Sequence, residues 1–228
     1  MQKERKDRLV DCFKAFLFDM DGVLTDSMPC HFEAWRRVFE SFGLCVTQEE
    51  ILRREGEKGM ITLENLLAEQ GMRLPRAELL KALEEKQRIF RSLVSPALFP
   101  GAQELVHELR KEGKLLALVT GTSASEIRAN LDAGFVHCFQ AVVTGDRVER
   151  GKPDPEPYET ALRLLRVSRQ EALVIENAPY GIESAKRAGV QCIAVATSLP
   201  AQYLRGADGV AHDLGELRSL LFRHHHGT

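Results

Sequence analysis

Five short apolar runs constrain the fold of this chain more than any other feature. They occupy residues 14–20, 114–120, 141–144, 172–176 and 191–197. Each is too short and too uniformly apolar for an amphipathic helix, which is the pattern of strands buried on both faces of a parallel sheet. Helical stripes separate the later runs. Ala102, Leu105, Val106 and Leu109 form the first, stopped by Gly113; Ile127 and Leu131 form the second, stopped by Gly134. Tyr158, Ala161, Leu162 and Leu165 form the third, and Ile182, Ala185 and Ala188 the fourth, ending at Gly189. Strands alternating with helices predict an α/β fold built on a doubly wound parallel sheet.

The rhythm breaks between the first and second runs. From about residue 29 to residue 94 the pattern is helical only. Phe32, Trp35, Phe39 and Phe42 share one helical face, and Leu79, Leu83, Phe90 and Leu93 share another. A segment of this size is too long for a simple crossover. It predicts a small all-helical domain at residues 28–96, inserted after strand one. Residues 1–27 and 97–228 then form the α/β core. Such an insert would lie over the C-terminal edge of the sheet, where α/β folds place their ligands.

Composition narrows the class of partner. The formal net charge of -2 gives no general electrostatic reason to expect nucleic acid. No apolar run approaches the roughly 20 residues of a membrane span. The first residues are charged and lack an apolar signal core. Cys12, Cys30, Cys45, Cys138 and Cys192 are scattered, odd in number and form no CxxC. They read as reduced packing residues of a cytoplasmic protein rather than a disulfide frame or a zinc site. His224, His225 and His226 read as an exposed terminus and are given no function.

Four strand ends carry the chemistry. The first run leads into Asp19-Met20-Asp21-Gly22-Val23-Leu24-Thr25-Asp26-Ser27. Alternation along a strand would put Asp19 and Asp21 on the same side, and Gly22 lets the chain turn away. Two such carboxylates repel unless a cation or proton shares the site, which suits a hard cation such as magnesium. The second run ends in Thr120-Gly121-Thr122-Ser123, a hydroxyl and backbone N–H groups before a helix. That arrangement is a natural phosphate cradle, although an ordinary helix cap looks the same. Next comes Arg150-Gly151-Lys152-Pro153-Asp154-Pro155, followed by Tyr158. A Lys fixed before a proline turn can neutralise a nucleophile and a developing phosphoryl charge. The fourth apolar run ends in Glu176-Asn177-Ala178-Pro179. Walker, zincin, nucleophile-elbow and GxGxxG patterns are not met.

These four signals, in this order, resemble the haloacid dehalogenase superfamily. That family's first motif has the form DxDGxLxDS, and this sequence supplies every letter. The resemblance implies a Rossmann-like core and a magnesium-dependent phosphoryl transfer. Asp19 would attack phosphorus and become an aspartyl phosphate, with Asp21 serving as acid and then base. The dehalogenases that name the family lack the second aspartate, so Asp21 favours phosphate esters. Thr120 would hold a phosphoryl oxygen, and Gly121 and Thr122 would cradle the substrate. Lys152 would neutralise charge. Asp19, Asp21, Glu176 and Asn177 would form the metal site. The family usually has two acidic residues at the last position. Asn177 departs from this, so two questions stay open: whether Glu176 or Asn177 is the direct ligand, and whether Asn177 is instead a helix cap.

The insert resembles the helical cap of the branch containing β-phosphoglucomutase and many sugar-phosphate and phosphoglycolate-type phosphatases. His31 sits where the mutase has a His near its active site, and Lys86 falls on the apolar face of its helix. Lys86 reads either as a substrate-binding cation or as a Lys whose stem packs while its head reaches water. Mutases of the branch tend to carry an Arg early in the cap and a Lys-Asn pair after the second motif. Here the stretches read Glu57-Lys58-Gly59-Met60 and Ser123-Ala124. The expectation is therefore a phosphatase of a small phosphorylated metabolite, with a phosphosugar mutase as the alternative. A noncatalytic binding module of the same fold is a third reading, disfavoured by the presence of Asp19 and Lys152.

Overall fold

The computed structural model describes residues 8–94 and 97–223, and the backbone alone at 128–130. The charged first residues, the tail histidines and the expected insert boundary at residue 96 lie outside the described residues. The apolar runs become strands of one parallel sheet: β1 (Ala15–Phe18), β2 (Leu115–Val119), β3 (Ala141–Val143), β4 (Ala172–Glu176) and β5 (Gln191–Val195). A sixth strand, β6 (Gly209–Ala211), joins at the edge. It is three residues long and only half-buried, too short to leave a pattern in the sequence. The order is β3-β2-β1-β4-β5-β6, with every pairing parallel. The chain builds outward from β1 to β3, then returns to the other side of β1. Neighbouring strands β1 and β4 therefore send their connections in opposite directions, which opens a crevice beyond their carboxyl ends.

Helices α1 (Met28–Ser41), α2 (Gln48–Leu52), α3 (Gly59–Glu69) and α4 (Arg76–Leu93) lie between β1 and β2. Then follow α5 (Ala102–Lys111), α6 (Ala124–Asn130), α7 (Ala133–Val136), α8 (Glu156–Leu165), α9 (Pro179–Arg187) and α10 (Leu214–Phe222). The sequence places a helix stop at Gly134, but α6 already ends at Asn130 and Gly134 lies inside α7. The Asp132 carboxylate accepts from Phe135 N and starts that new helix, a local capping signal that outweighs the glycine. Among the described residues no helix is long and apolar enough to cross a membrane.

Strand alternation sorts the sheet residues by size. Phe16, Phe18, Leu116, Leu118 and Ile175 face α5 and α10. Ala15, Ala117, Ala172 and Ala194, with Leu17 and Val174, face α8 and α9. Small side chains on this second face let α8 and α9 approach the strands closely, which carries Tyr158 and the start of α9 toward the strand ends. Helices α1, α3 and α4 enclose a separate cluster that includes Trp35, Phe39, Leu63, Leu66, Leu79 and Phe90. The two aromatic and aliphatic stripes read in the sequence meet each other there.

The size sorting has a measurable consequence. Ala117→Leu inserts three carbons into the close-packed α8 face and should destabilise the chain by about 1–3 kcal/mol. A urea titration showing no loss would mean that this face has room to spare.

Candidate active site

Strand β1 stops at Phe18, so Asp19 and Asp21 lie in the turn beyond it rather than in the strand itself. Alternation therefore does not set their relation, and the turn does. Met20 O accepts from Leu24 N, Thr25 N and Thr25 Oγ1. Gly22 takes the left-handed conformation, φ 82°, and its carbonyl accepts from Thr197 Oγ1. Asp19 stays in register with the sheet through its N–H, which donates to Ile175 O at 3.0 Å. Both carboxylates are buried.

Asp19 faces Lys152. The ammonium donates to Asp19 Oδ1 at 2.5 Å, to Glu176 Oε1 at 2.7 Å and to Val119 O at 3.2 Å. Tyr158 OH donates to the same Glu176 oxygen at 2.6 Å, and Glu176 Oε2 accepts from Asn177 N at 3.0 Å. Burial pushes the Asp19 carboxyl up to about 8; Lys152 opposes this, while Glu176 and Asp21 add to it. Burial alone would lower Lys152, but Asp19 and Glu176 outweigh it and hold the ammonium above its ordinary value. Burial thus drives the Asp19 shift, whereas the neighbouring acids drive that of Lys152. Burial, then Glu176, also raises the Tyr158 phenol well above its usual range and keeps it a donor.

Asp21 faces hydroxyls. Ser27 Oγ donates to its Oδ1 at 2.5 Å and Thr122 Oγ1 to its Oδ2 at 2.9 Å. Thr120 Oγ1 lies 3.4 Å from Oδ2 and accepts from Thr122 N at 3.0 Å. His31 Nε2 stands 3.4 Å from Asp21 Oδ1 without a hydrogen bond. Burial would raise Asp21, but His31 and these hydroxyls together hold it well below the usual carboxylate range. His31 itself is pushed down, by burial and then by Lys86.

The four expected metal residues do not behave alike. Glu176 is taken by Lys152, Tyr158 and its own neighbour's N–H, and the Asp21 oxygens are taken by hydroxyls. Among the described residues, no three His, Cys or acidic side chains gather as a metal cluster. Two buried oxygens do lack any hydrogen bond: Asp19 Oδ2 and Asn177 Oδ1. They stand on the ends of adjacent strands, β1 and β4. The Asn177 amide nitrogen donates to Ser198 Oγ at 3.2 Å, which turns its oxygen away from that partner. The helix-cap reading of Asn177 finds no support, since Ala178 is the cap residue of α9. An oxygen-only pair, one charged and one neutral, suits a hard divalent cation.

The insert closes over this edge. Lys86 is buried rather than reaching water, and its Nζ lies 2.9 Å from His31 Nδ1 and 4.9 Å from the Phe90 ring centre. Burial lowers the Lys86 ammonium, against the pull of Glu126, Asp21 and Glu55. A cavity opens between insert and core, lined by His31, Glu55, Lys86, Gly121, Thr122 and Glu126 among others. Sequence reasoning missed Glu55, Glu126, Ser27 as a donor and the Tyr158–Glu176 bond. Ser27 closes the first motif and was the findable one. Glu55 sits in a charged turn with no periodicity to mark it.

Comparison with known proteins follows this geometry. The family described as haloacid dehalogenase-like hydrolase matches residues 16–195, from β1 through β5. The chain belongs to that family. Among these hydrolases, a phosphorylated carbohydrates phosphatase of Thermotoga maritima is 35% identical, over 91% of this chain and 90% of its own length. A beta-phosphoglucomutase of Bacillus subtilis is 30% identical, over 90% of this chain and 91% of its own. A solved chain from Bacteroides vulgatus, described as a candidate beta-phosphoglucomutase, superposes with a TM-score of 0.82 at 34% identity. It covers 92% of this chain and 91% of that one. This haloacid dehalogenase-like chain is thus an enzyme with both phosphatase and mutase relatives.

The tightness of the Glu176 cluster can be tested. Tyr158→Phe removes a buried donor and leaves Glu176 Oε1 with Lys152 alone, at a cost of about 1–3 kcal/mol. Thermal unfolding should show the loss, and turnover should fall as Lys152 is drawn toward Glu176. Unchanged stability and turnover would make the phenol a bystander.

Proposed function

We propose that this chain is a magnesium-dependent phosphatase that hydrolyses a small phosphorylated carbohydrate through an aspartyl phosphate on Asp19. The observation that carries this reading is the state of Asp19. One of its oxygens is pinned by Lys152, and the other is buried without a partner. A carboxylate fixed this way is oriented for attack and has lost its water shell.

Asp19 attacks phosphorus, and the ester oxygen leaves with a proton from Asp21. Water then attacks the aspartyl phosphate, Asp21 takes its proton, and inorganic phosphate departs as Asp19 is regenerated. The resting donors Ser27 and Thr122 favour the Asp21 carboxylate, the form needed in the second step. Delivering a proton in the first step requires Asp21 to be protonated with substrate in place. Lys152 and the N–H groups around Thr120–Thr122 face the charge that develops on the phosphoryl oxygens. Asp19 and Asn177 would hold the magnesium ion, which supplies charge neutralisation between nucleophile and phosphoryl group. Residues 28–96 act as a second domain that covers the site and limits access of water.

A specific contact favours phosphatase over mutase. A mutase must grip a second phosphate far from the nucleophile. Lys58, the candidate closest to the expected Arg position, instead donates its Nζ to Val148 O at 2.6 Å. Arg54 is bound by Glu69 and lies 3.9 Å from Glu57. With these cations engaged, the intermediate is poorly retained and water is the acceptor.

Product analysis with β-glucose 1-phosphate and a trace of the 1,6-bisphosphate tests the reading. Inorganic phosphate should form with magnesium, and Asp19→Asn should abolish its release. Glucose 6-phosphate formed much faster than free phosphate would establish the mutase instead.

The metal assignment has its own test. Asn177→Asp adds a negative charge at the end of the strand neighbouring that of the unpaired Asp19 oxygen, so it should tighten magnesium binding by about tenfold or more. Weaker binding in a calorimetric titration would remove Asn177 from the metal site.

A further inference from the structure

The loop that follows β5 meets the end of β4, and the proposed reaction gives it no part. Ser198 Oγ accepts from the Asn177 amide nitrogen at 3.2 Å. Among the described residues it is the only partner of that nitrogen, and Asn177 is fully buried. Two neighbours anchor Ser198. Thr197 donates its hydroxyl to Gly22 O, and Leu199 is buried in the same core cluster as Leu204. A β-carbon on Gly22 would fall 2.0 Å from Asn177 Nδ2 and 2.7 Å from Ser198 Oγ. The amide nitrogen and the hydroxyl therefore fill the space that this glycine leaves open, against the turn that carries Asp19 and Asp21.

An amide differs from a carboxylate in having two unlike ends, an oxygen that can ligate a cation and an NH2 group that cannot. Half a turn about the last side-chain bond exchanges them with little change of shape. A chain that carries Asn at this position must therefore support the end that faces away from the cation. With its nitrogen on Ser198, Asn177 leaves Oδ1 buried without a hydrogen bond, as Asp19 leaves Oδ2. The serine hydroxyl has lone pairs to accept from the NH2 group. Without that acceptor, turning the oxygen to a cation strands a buried donor, and the cost falls on the metal-bound form. A metal-free amide is free to rotate its nitrogen toward another acceptor.

We propose that Ser198 is a positioning residue for magnesium: by accepting from the Asn177 amide nitrogen it keeps the amide oxygen, rather than the NH2 group, turned to the cation. The inference rests on the proposed function only in placing magnesium at Asp19 and Asn177. Partners behind a metal ligand fix its orientation and carry a large share of the affinity. An aspartate at position 177 would need no such support, since either of its oxygens can ligate.

A double-mutant cycle on magnesium affinity tests this, measured by calorimetry on the full chain without substrate. Ser198→Ala should weaken magnesium binding by about tenfold or more. In the chain carrying Asn177→Asp, the same Ser198→Ala change should cost less by about fivefold or more, because a carboxylate has no nitrogen to strand. A merely loosened loop would weaken both chains equally, so the comparison separates amide orientation from loop packing. No loss with Ser198→Ala, or the same loss in both chains, overturns the proposal. Failure of the unsubstituted chain to bind magnesium overturns it together with the metal of the proposed function. Phosphate release from the unsubstituted chain is scored separately. Magnesium affinity that follows residue 198 only when residue 177 is Asn, without phosphate release from a sugar phosphate, supports this inference and sinks hydrolysis. Phosphate release with an affinity indifferent to residue 198 keeps hydrolysis and sinks this inference.

Discussion

Lys152 holds the site together. Its ammonium is buried between Asp19 and Glu176, and a charge in that position is tolerated only when its partners are equally fixed. Each partner is fixed by a different part of the fold. The β1 register places Asp19. Glu176 is held by Tyr158 from α8 and by the tight approach of α9, where a β-carbon on Gly181 would fall 1.9 Å from Glu176 Oε1. The alanine-rich sheet face is what lets α8 and α9 come so near. Core packing and site electrostatics are therefore one problem: the same close contact that fills the second face also positions the acid that shares the lysine.

The charge balance of this cluster shapes its chemistry. Asp19, Asp21 and Glu176 are three buried acids against one buried ammonium. Burial raises Asp19 and the neighbouring acids raise Lys152, and the excess of acids makes the site receptive to a cation at the two oxygens that hydrogen bonding leaves out. Asp21 escapes the rise because His31, then hydroxyls from its own turn and from the loop after β2, offset its burial. Two aspartates two positions apart in sequence thus have opposite tendencies, one toward the acid form and one toward the carboxylate. Both tendencies oppose the first chemical step, which needs Asp19 ionised and Asp21 protonated, so bound cation and substrate must shift the two groups.

The insert contributes mainly by what it does with its cations. Lys58 fastens the 56–59 turn to the core, Arg54 braces the turn to α3, and Lys86 sits against His31 and aromatic rings. Relatives with either activity share the fold, so architecture does not divide hydrolysis from mutation of phosphate position.

Much of this was legible in the residues alone. Uniformly apolar runs alternating with stripes of period 3.6 determine a parallel α/β sheet, because no other arrangement buries them on both faces. The helical interval determines a separate cluster for the same reason. The DxDGxLxDS run, Thr120, Lys152 and Glu176-Asn177 were visible because strand ends concentrate reactive groups at one edge. Short strand β6, the break before Gly134 and the turn that begins at Asp19 were not visible, since each depends on one or two backbone hydrogen bonds rather than a repeating pattern. Only the tertiary structure decided that Glu176 belongs to Lys152 and Tyr158 while Asn177 keeps a bare oxygen. It alone decided that Lys58 reaches a backbone carbonyl. The physical reason is that a side chain's type is local, whereas its hydrogen-bond partner depends on which distant segments the fold brings within about 3 Å.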